Sequence, residues 1–245
     1  MPPPFELIPF PDDRALAAAA AADWLAWARE SSGSRTTALS GGRIAKCFFA
    51  AVVELARKCA AAMDQVDFFW ADERCVPPDH PESNFLLAQE NLLRPLGIAA
   101  ERIHRLKGEW PPAAAVPGAN DEIRRVADRD GAGLPVLDLI LLGMGEDGHV
   151  ASLMPNAPPE VSQSREPYVH VPNSPKPPAN RLSLTYPVLA AAKNVWMLAA
   201  GAGKREALRE SLRLNGITPF ARVLQSRPHT RIYTDLNVIT AEPSK

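Results

Sequence analysis

Cysteine is scarce and odd in number: Cys47, Cys59 and Cys75 are the only three in 245 residues. Their wide spacing suits neither a disulfide framework nor a zinc knuckle, so a reducing, cytoplasmic setting is the default expectation. An excess of charge of one sign is also lacking. Lys and Arg number 27 against 28 Asp and Glu, a formal net charge of −1. A general nucleic-acid binder needs a basic surplus for its phosphate contacts, and no nucleic acid is expected as a partner. Long hydrophobic runs are missing too. The alanine-rich stretch Ala15 to Ala22 stops at Asp23, too short and too weakly apolar to span a bilayer. The start, Met1-Pro-Pro-Pro-Phe-Glu6, has neither a basic n-region nor an apolar h-region. Membrane and secretory readings are set aside. No period of roughly 20–50 residues repeats, which excludes a solenoid. No H-E-x-x-H, Cys–His pairing or serine-hydrolase elbow occurs, so no metal or other cofactor is expected.

Proline, by contrast, is abundant: 25 residues against 14 glycines, about twice the usual share. Five fall in the first 11 residues, none between Asp12 and Val76, and nine between Pro155 and Pro187. Such clustering marks loop devices in a folded chain rather than disorder. With 46% hydrophobic and 22% charged residues, the chain reads as one globular domain over 1–245.

Helix and strand patterns alternate. Asp12 or Asp13 caps a helix to about Glu30, with Leu16, Trp24, Leu25 and Ala28 as its apolar stripe. Thr36–Leu39 reads as a strand and Ile44 to about Met63 as a helix. Val66–Ala71 is β-branched and aromatic, hence a strand. Asn84–Leu93 follows as a helix closed by Pro95 and Gly97. Asn120–Ala127 is a polar helix, and Val136–Leu142 is apolar enough for a strand buried on both faces. Further strands are expected at Tyr168–Val171, Arg181–Thr185, Val195–Ala199 and Arg231–Thr234, with helices at Lys204–Leu214 and Pro219–Gln225. The fold class is therefore α/β: a mainly parallel, doubly wound, Rossmann-like sheet with helices on both faces and some additional mixed strands. Ligands of such sheets sit at the carboxyl ends of strands, which is where candidates belong.

Four strand ends carry them. Ser40-Gly41-Gly42-Arg43 offers backbone N–H groups, a helix N-terminus and an arginine to an anion, or is an ordinary βα turn. Asp72-Glu73-Arg74 puts three charges at the mouth of an apolar strand. Arg74 can hold a carbonyl or phosphate; the plainer alternative is a solvated turn. Downstream, Ser83 as a helix cap suffices to explain Pro81–Asn84. Gly143-Met-Gly145-Glu-Asp147-Gly148-His149 matches G-x-G-x-x-G. Its two acids would repel a pyrophosphate, however, and no full crossover helix follows. The loop instead offers His149 as a general base, with Asp147 to orient it. His80, His104, His170 and His229 lack such a setting and are assigned to the surface or helix ends. The fourth group is basic: Lys176 in the Ser174–Pro178 loop, Arg181 heading a strand, and Lys204 after Gly201-Ala-Gly203. A lysine in the first turn of a helix makes sense where an anion binds at the same terminus.

These stretches, in this order from about Ala38 to Gly203, resemble the 6-phosphogluconolactonase family. The most specific pieces are Trp70-Ala-Asp-Glu-Arg74 with Ser83-Asn84, and Leu142-Gly-Met-Gly-Glu-Asp-Gly-His-Val-Ala-Ser-Leu-Met-Pro155; Pro175–Pro178 followed by Arg181 also fits. The resemblance implies a carboxylic ester hydrolase that opens 6-phospho-D-glucono-1,5-lactone in the oxidative pentose phosphate pathway. In that reading His149 is the base, Asp147 its partner and Arg74 the oxyanion donor. Gly41, Gly42, Arg43, Asp72, Gly145, Lys176, Arg181 and Lys204 then hold the sugar phosphate, in a monomer or weak homodimer. The wider superfamily includes glucosamine-6-phosphate deaminases, whose histidine is followed by a run ending in asparagine and glutamate. Here Val150–Pro155 follows, as in the lactonase branch. A deaminase-type enzyme and a non-catalytic sugar-phosphate binder are the alternatives. One departure stands out: the family's first loop usually reads Ser-Gly-Gly-Ser-Thr-Pro, whereas here Arg43-Ile-Ala45 replaces the hydroxyl residues.

Overall fold

The computed structural model describes residues 4–30, 33–59 and 63–238. Along the chain run β1 (Glu6–Pro9), α1 (Asp13–Arg29), β2 (Arg35–Leu39), α2 (Arg43–Cys59), β3 (Val66–Trp70) and β4 (Asp72–Arg74). Then come α3 (Asn84–Ala88), a π turn at Gln89–Leu93, and α4 (Arg94–Leu96). α5 (Pro112–Val126), β5 (Asp128–Arg129), β6 (Pro135–Val136), β7 (Leu139–Gly143), α6 (Pro159–Ser162) and β8 (Tyr168–Val171) follow. The chain continues through β9 (Arg181–Leu184), α7 (Tyr186–Ala191), β10 (Asn194–Ala199), α8 (Arg205–Ser211), α9 (Pro219–Gln225) and β11 (Arg231–Thr234).

Six strands form one sheet in the order β1-β11-β10-β7-β2-β3, and every pairing in it is parallel. Its central strand β7 keeps Leu139 to Leu142 almost wholly buried, as a strand covered on both faces requires. Trp24 of α1 meets Phe48 of α2 edge-on at 6.2 Å and Phe68 of β3 at the same centroid distance. This aromatic cluster seats the first two helices on the sheet. Asp12 caps α1 by accepting from the N–H of Ala15 at 2.8 Å, as expected.

A second sheet, β4-β9-β8, is antiparallel throughout. It accounts for the mixed strands and leans on the first: the Leu184 N–H donates to Ala71 O at 2.8 Å. The Tyr168 hydroxyl donates to Trp70 O, also at 2.8 Å.

Several boundaries differ from expectation. β1 forms inside the proline-rich start because an edge strand tolerates Pro9 at its end. The helix expected from Asn120 starts at Pro112 and carries Pro117 inside it, so proline there did not delay helix formation. Pro95 sits in the first turn of α4 and does not end the helical run; Gly97, at φ +66°, does. The apolar run from Val136 divides at Leu137–Asp138, with β6 pairing to β5 rather than joining the main sheet. The residues just past Cys59, to which the second helix was expected to extend, lie outside the described residues.

Candidate active site

Strands β2, β3, β7 and β10 point their carboxyl ends to one side, and the loops that leave them surround a cavity of about 360 Å³. Gly41, Gly42, Arg43, Asp72, Arg74, Gly145, His149, Lys176, Arg181 and Lys204 all line it. Asp147 does not line it but lies behind His149. All four strand-end groups picked out in the sequence are thus brought together, across up to 163 positions of chain from Gly41 to Lys204.

The loop after β7 is closed by the Gly145 N–H donating to His149 O at 2.9 Å and the Gly148 N–H to Gly145 O at 3.1 Å. This curl lays the His149 ring over the α-carbon of Gly145. A side chain there would fall within bonding reach of the ring and 2.6 Å from Asp147 Oδ1; only glycine leaves room. His149 Nδ1 and Asp147 Oδ1 are 2.6 Å apart, and the His149 backbone N–H donates to the same oxygen at 3.2 Å. Partial burial works against the Asp147 charge. The neighbouring His149 and these hydrogen bonds outweigh it, holding the carboxyl below its ordinary range. An ionised Asp147 on Nδ1 fixes the tautomer and leaves Nε2, without a partner among the described residues, as a proton acceptor. No helix follows His149: Val150 bridges to Met144 and Leu153 instead.

The Asp72-Glu73-Arg74 triplet is not a solvated turn. It is β4, and its three charges part ways. Glu73 is 2% exposed and caps α3 from below. Its Oε1 accepts from the N–H groups of Arg74 and Asn84 (2.7 Å each), and its Oε2 from Phe85 N–H (2.7 Å) and Ser83 Oγ (3.0 Å). Burial still pushes its carboxyl above the ordinary value against those four bonds. Asp72, also buried, accepts from Ser152 Oγ at 2.7 Å. Asn84 Nδ2 donates to Asp72 O at 2.9 Å. Arg74 reaches the cavity with NH1 donating to Glu82 O at 2.7 Å, while its Nε–H is buried with no partner among the described residues.

The basic residues take two different positions. Arg181, 4% exposed, spends Nε on Pro178 O (3.2 Å) and NH2 on Lys176 O (2.9 Å). It ties down the proline loop that carries Lys176. Its guanidinium pKa is lowered by burial, against the pull of Asp72. Arg43, Lys176 and Lys204 gather at the other end. Burial and the nearby Arg43 lower the Lys204 ammonium, with Asp235 and Glu146 opposing and Lys176 adding to the effect. Cations gathered this closely favour an anion between them. Arg43 also pairs with Asp13 in the first turn of α1. Gly42, at φ +97°, turns the chain into α2, whose first turn holds no acidic residue. That terminus remains attractive to a phosphate.

Sequence reasoning missed Asn84 as a cavity residue. A capping role was assigned to Ser83, and Ser83 does accept from Leu86 N–H at 3.1 Å. Yet Asn84 lines the cavity and occupies the space that a side chain at position 41 would need. The glycine pair opposite a buried polar residue was the available signal. His104 is a correction. Rather than standing on the surface, it is 8% exposed and held between Glu122 (Nδ1, 2.7 Å) and Asp67 (Nε2, 3.0 Å), stacked on Phe69 at 4.6 Å. Two carboxylates from distant segments satisfy both ring nitrogens, which makes its burial tolerable. Among the described residues no group of three or more His, Cys, Asp or Glu side chains is placed to hold a metal ion. No helix there is long and apolar enough to cross a membrane.

Residues 11–233 match the family described as glucosamine-6-phosphate isomerases/6-phosphogluconolactonase. The 6-phosphogluconolactonase of Streptomyces coelicolor is 36% identical over 191 residues, covering 76% of this chain and 73% of that protein. The chloroplastic 6-phosphogluconolactonase 3 of Arabidopsis thaliana is 34% identical over 204 residues, 77% of this chain. The match spans only 59% of that longer protein. Among solved structures, the crystal structure of a devB protein superimposes with a TM-score of 0.86 at 31% identity, covering 94% of this chain and 96% of that one.

Proposed function

The chain belongs to the glucosamine-6-phosphate isomerase/6-phosphogluconolactonase family, and on that premise we propose that it hydrolyses 6-phospho-D-glucono-1,5-lactone to 6-phosphogluconate. One observation carries the mechanism: the 2.6 Å Asp147–His149 pair at the wall of a cavity whose far end is cationic. His149 Nε2 takes a proton from water as the water oxygen bonds to the lactone carbonyl carbon. Asp147 holds the Nδ1–H and balances the imidazolium so formed. The carbonyl oxygen becomes an oxyanion beside Arg74, which lines the cavity and whose guanidinium charge suits it. Collapse of the intermediate breaks the bond to the ring oxygen, which takes the proton back from His149. The acid and the freed hydroxyl result, with no atom unaccounted for.

At the other end the amides of Gly41 and Gly42, the start of α2, Arg43, Lys204 and Lys176 receive the phosphate. Asp72 and Asn84, linked to each other, face the sugar. Arg181 serves by holding the proline loop in place. A δ-lactone opens in water unaided, so one base with accurate positioning is enough catalytic power. The substrate partner is thus a small sugar phosphate.

The test is to generate the lactone with glucose-6-phosphate dehydrogenase and follow its loss against the spontaneous rate. Acceleration that disappears in His149→Ala is expected. No acceleration by the wild-type chain would refute the lactonase reading, and full rate in His149→Ala would remove only the base assignment. The deaminase reading requires ammonia from glucosamine 6-phosphate. None is expected, because Val150–Pro155 supplies no carboxylate after the histidine.

A further inference from the structure

The loop that carries His149 is backed by a part of the chain outside the cavity. Gly148 has φ +80°, and a side chain on its α-carbon would lie 2.7 Å from Cβ and 2.8 Å from Cγ2 of Thr218. The hydrocarbon face of Thr218 therefore covers Gly148 at van der Waals range, one residue before the base. Two residues on, the Phe220 N–H donates to Gly148 O at 3.1 Å. The catalytic loop is thereby clamped from behind by the entry to α9.

Thr218 is itself held in place through its hydroxyl. Oγ1 accepts from the Ala221 N–H at 3.0 Å, capping α9, and lies 2.6 Å from Ser211 Oγ. Ser211 Oγ donates to Ala207 O at 2.6 Å, so in the Ser211–Thr218 contact the proton comes from Thr218. Ser211 is the last residue of α8, the helix whose N-terminal flank is Lys204. One side chain thus joins the end of the helix that begins at the phosphate cations, the start of α9, and the backbone beneath His149.

We propose that Thr218 is a positioning residue for the reaction: the Cβ–Cγ2 face, rather than the hydroxyl, fixes Gly148 and through it the placement of His149. The claim rests on the assignment of His149 as base. Its two side-chain functions can be separated by substitution. Thr218→Ser keeps the cap and the Ser211 bond but removes Cγ2 from Gly148. Thr218→Val (T218V), always made together with Ser211→Ala to relieve the 2.6 Å contact, keeps the wall and loses the cap.

If the wall sets the geometry, T218S lowers kcat about tenfold, as befits a loop displaced by a fraction of the ~1 Å that costs about a hundredfold. KM should stay within about twofold, and the thermal midpoint should barely move. T218V restores kcat to near the wild-type value although its midpoint falls by about 2–4 °C, the loss expected for a missing helix cap. Wild-type kcat in T218S, or a T218V enzyme as slow as T218S, overturns the proposal. A merely structural threonine predicts the reverse order, with activity following stability. A readout free of turnover separates this from the lactonase reading. The His149 imidazole NMR signals, identified by their loss in His149→Ala, should shift in T218S and stay in place in T218V whether or not the lactone is a substrate.

Discussion

Gly145→Ala isolates the geometry of the His149–Asp147 pair from the stability of the fold. Gly145 is outside the left-handed region, so alanine brings no backbone strain. The added methyl would instead stand 2.6 Å from Asp147 Oδ1 and closer still to His149 Nδ1 and Cε1. Ordinary carbon contacts lie at about 3.5–4.0 Å, so the imidazole must retreat by about 1 Å or more. The atoms in the way belong to side chains rather than backbone, and His149 is 17% exposed. The ring can rotate aside, leaving the loop where it is.

The expected result is a nearly unchanged thermal midpoint with kcat lowered about a hundredfold, the usual cost of a misplacement on this scale. KM should hold within about threefold, because the phosphate end is untouched. A positioned base contributes about 10²–10⁴ in rate, so His149→Ala should be at least as slow as G145A. The double variant G145A/H149A should then be no slower than H149A, since a base that is gone cannot be misplaced. Initial rates on freshly generated lactone, corrected for spontaneous opening, provide the measurement. Losses that multiply in the double variant, or a G145A enzyme with wild-type kcat, would show that the pair is not the catalytic unit.

Three other outcomes are expected. Arg43→Ser should raise KM about two- to fivefold at low ionic strength, the range for an exposed charge pair, with the effect shrinking at about 0.5 M salt; a lower KM would show that arginine is a poor phosphate ligand here. Glu122, held by Arg125 and His104, has its carboxyl pulled down from 4.5 to about 2. The folded state therefore binds fewer protons than the unfolded chain between those values. Its contribution to stability is complete above about pH 4.5 and is lost as pH falls toward 2. Urea midpoints should accordingly fall less steeply across that window in Glu122→Gln than in the wild type. Glu73→Gln places an amide N–H₂ against backbone donors that Glu73 now accepts. A loss of about 1–3 kcal/mol in chemical denaturation should follow, with secondary structure retained.

The first two helices, the inner strands and the four strand-end clusters were legible because local patterning and tertiary role agree there, whereas the first half of α5 was hidden by its prolines. The apolar run into Gly143 read as a buried strand, and the glycines after it as room for a substrate to come close, once their two acids had spoken against a pyrophosphate. What escaped notice depended on partners far along the chain. Asp72 is held by Ser152, 80 positions away, and His104 by Asp67, 37 positions away; nothing in either neighbourhood advertises the pairing. Arg181–Thr185 was expected as a strand and Asp72–Arg74 as a strand mouth, but their mutual pairing was not, since antiparallel pairing between segments a hundred residues apart leaves no local signature. Arg181 lines the cavity as its position suggested, but its bonds to the carbonyls of Lys176 and Pro178, which tie down the proline loop, had no local signal.

The meeting of two sheets has a consequence for how this pocket can change over evolutionary time. Its cationic end joins Arg43 and Lys204, from loops of the parallel sheet after β2 and β10, to Lys176 on the β8–β9 loop, while Arg74, Asp72 and Arg181 come from the antiparallel sheet. The two frameworks meet at few points, the Leu184–Ala71 and Tyr168–Trp70 bonds and the Arg181 hold on the Lys176 loop, so drift away from those points in one need not disturb the other. A lineage could alter the ring it accepts through β4 and β9 while keeping its hold on the phosphate. Arg43, at the start of α2, is a position where such a change would fall on the parallel-sheet side. The seam between the sheets is thus where a change on one side reaches the other.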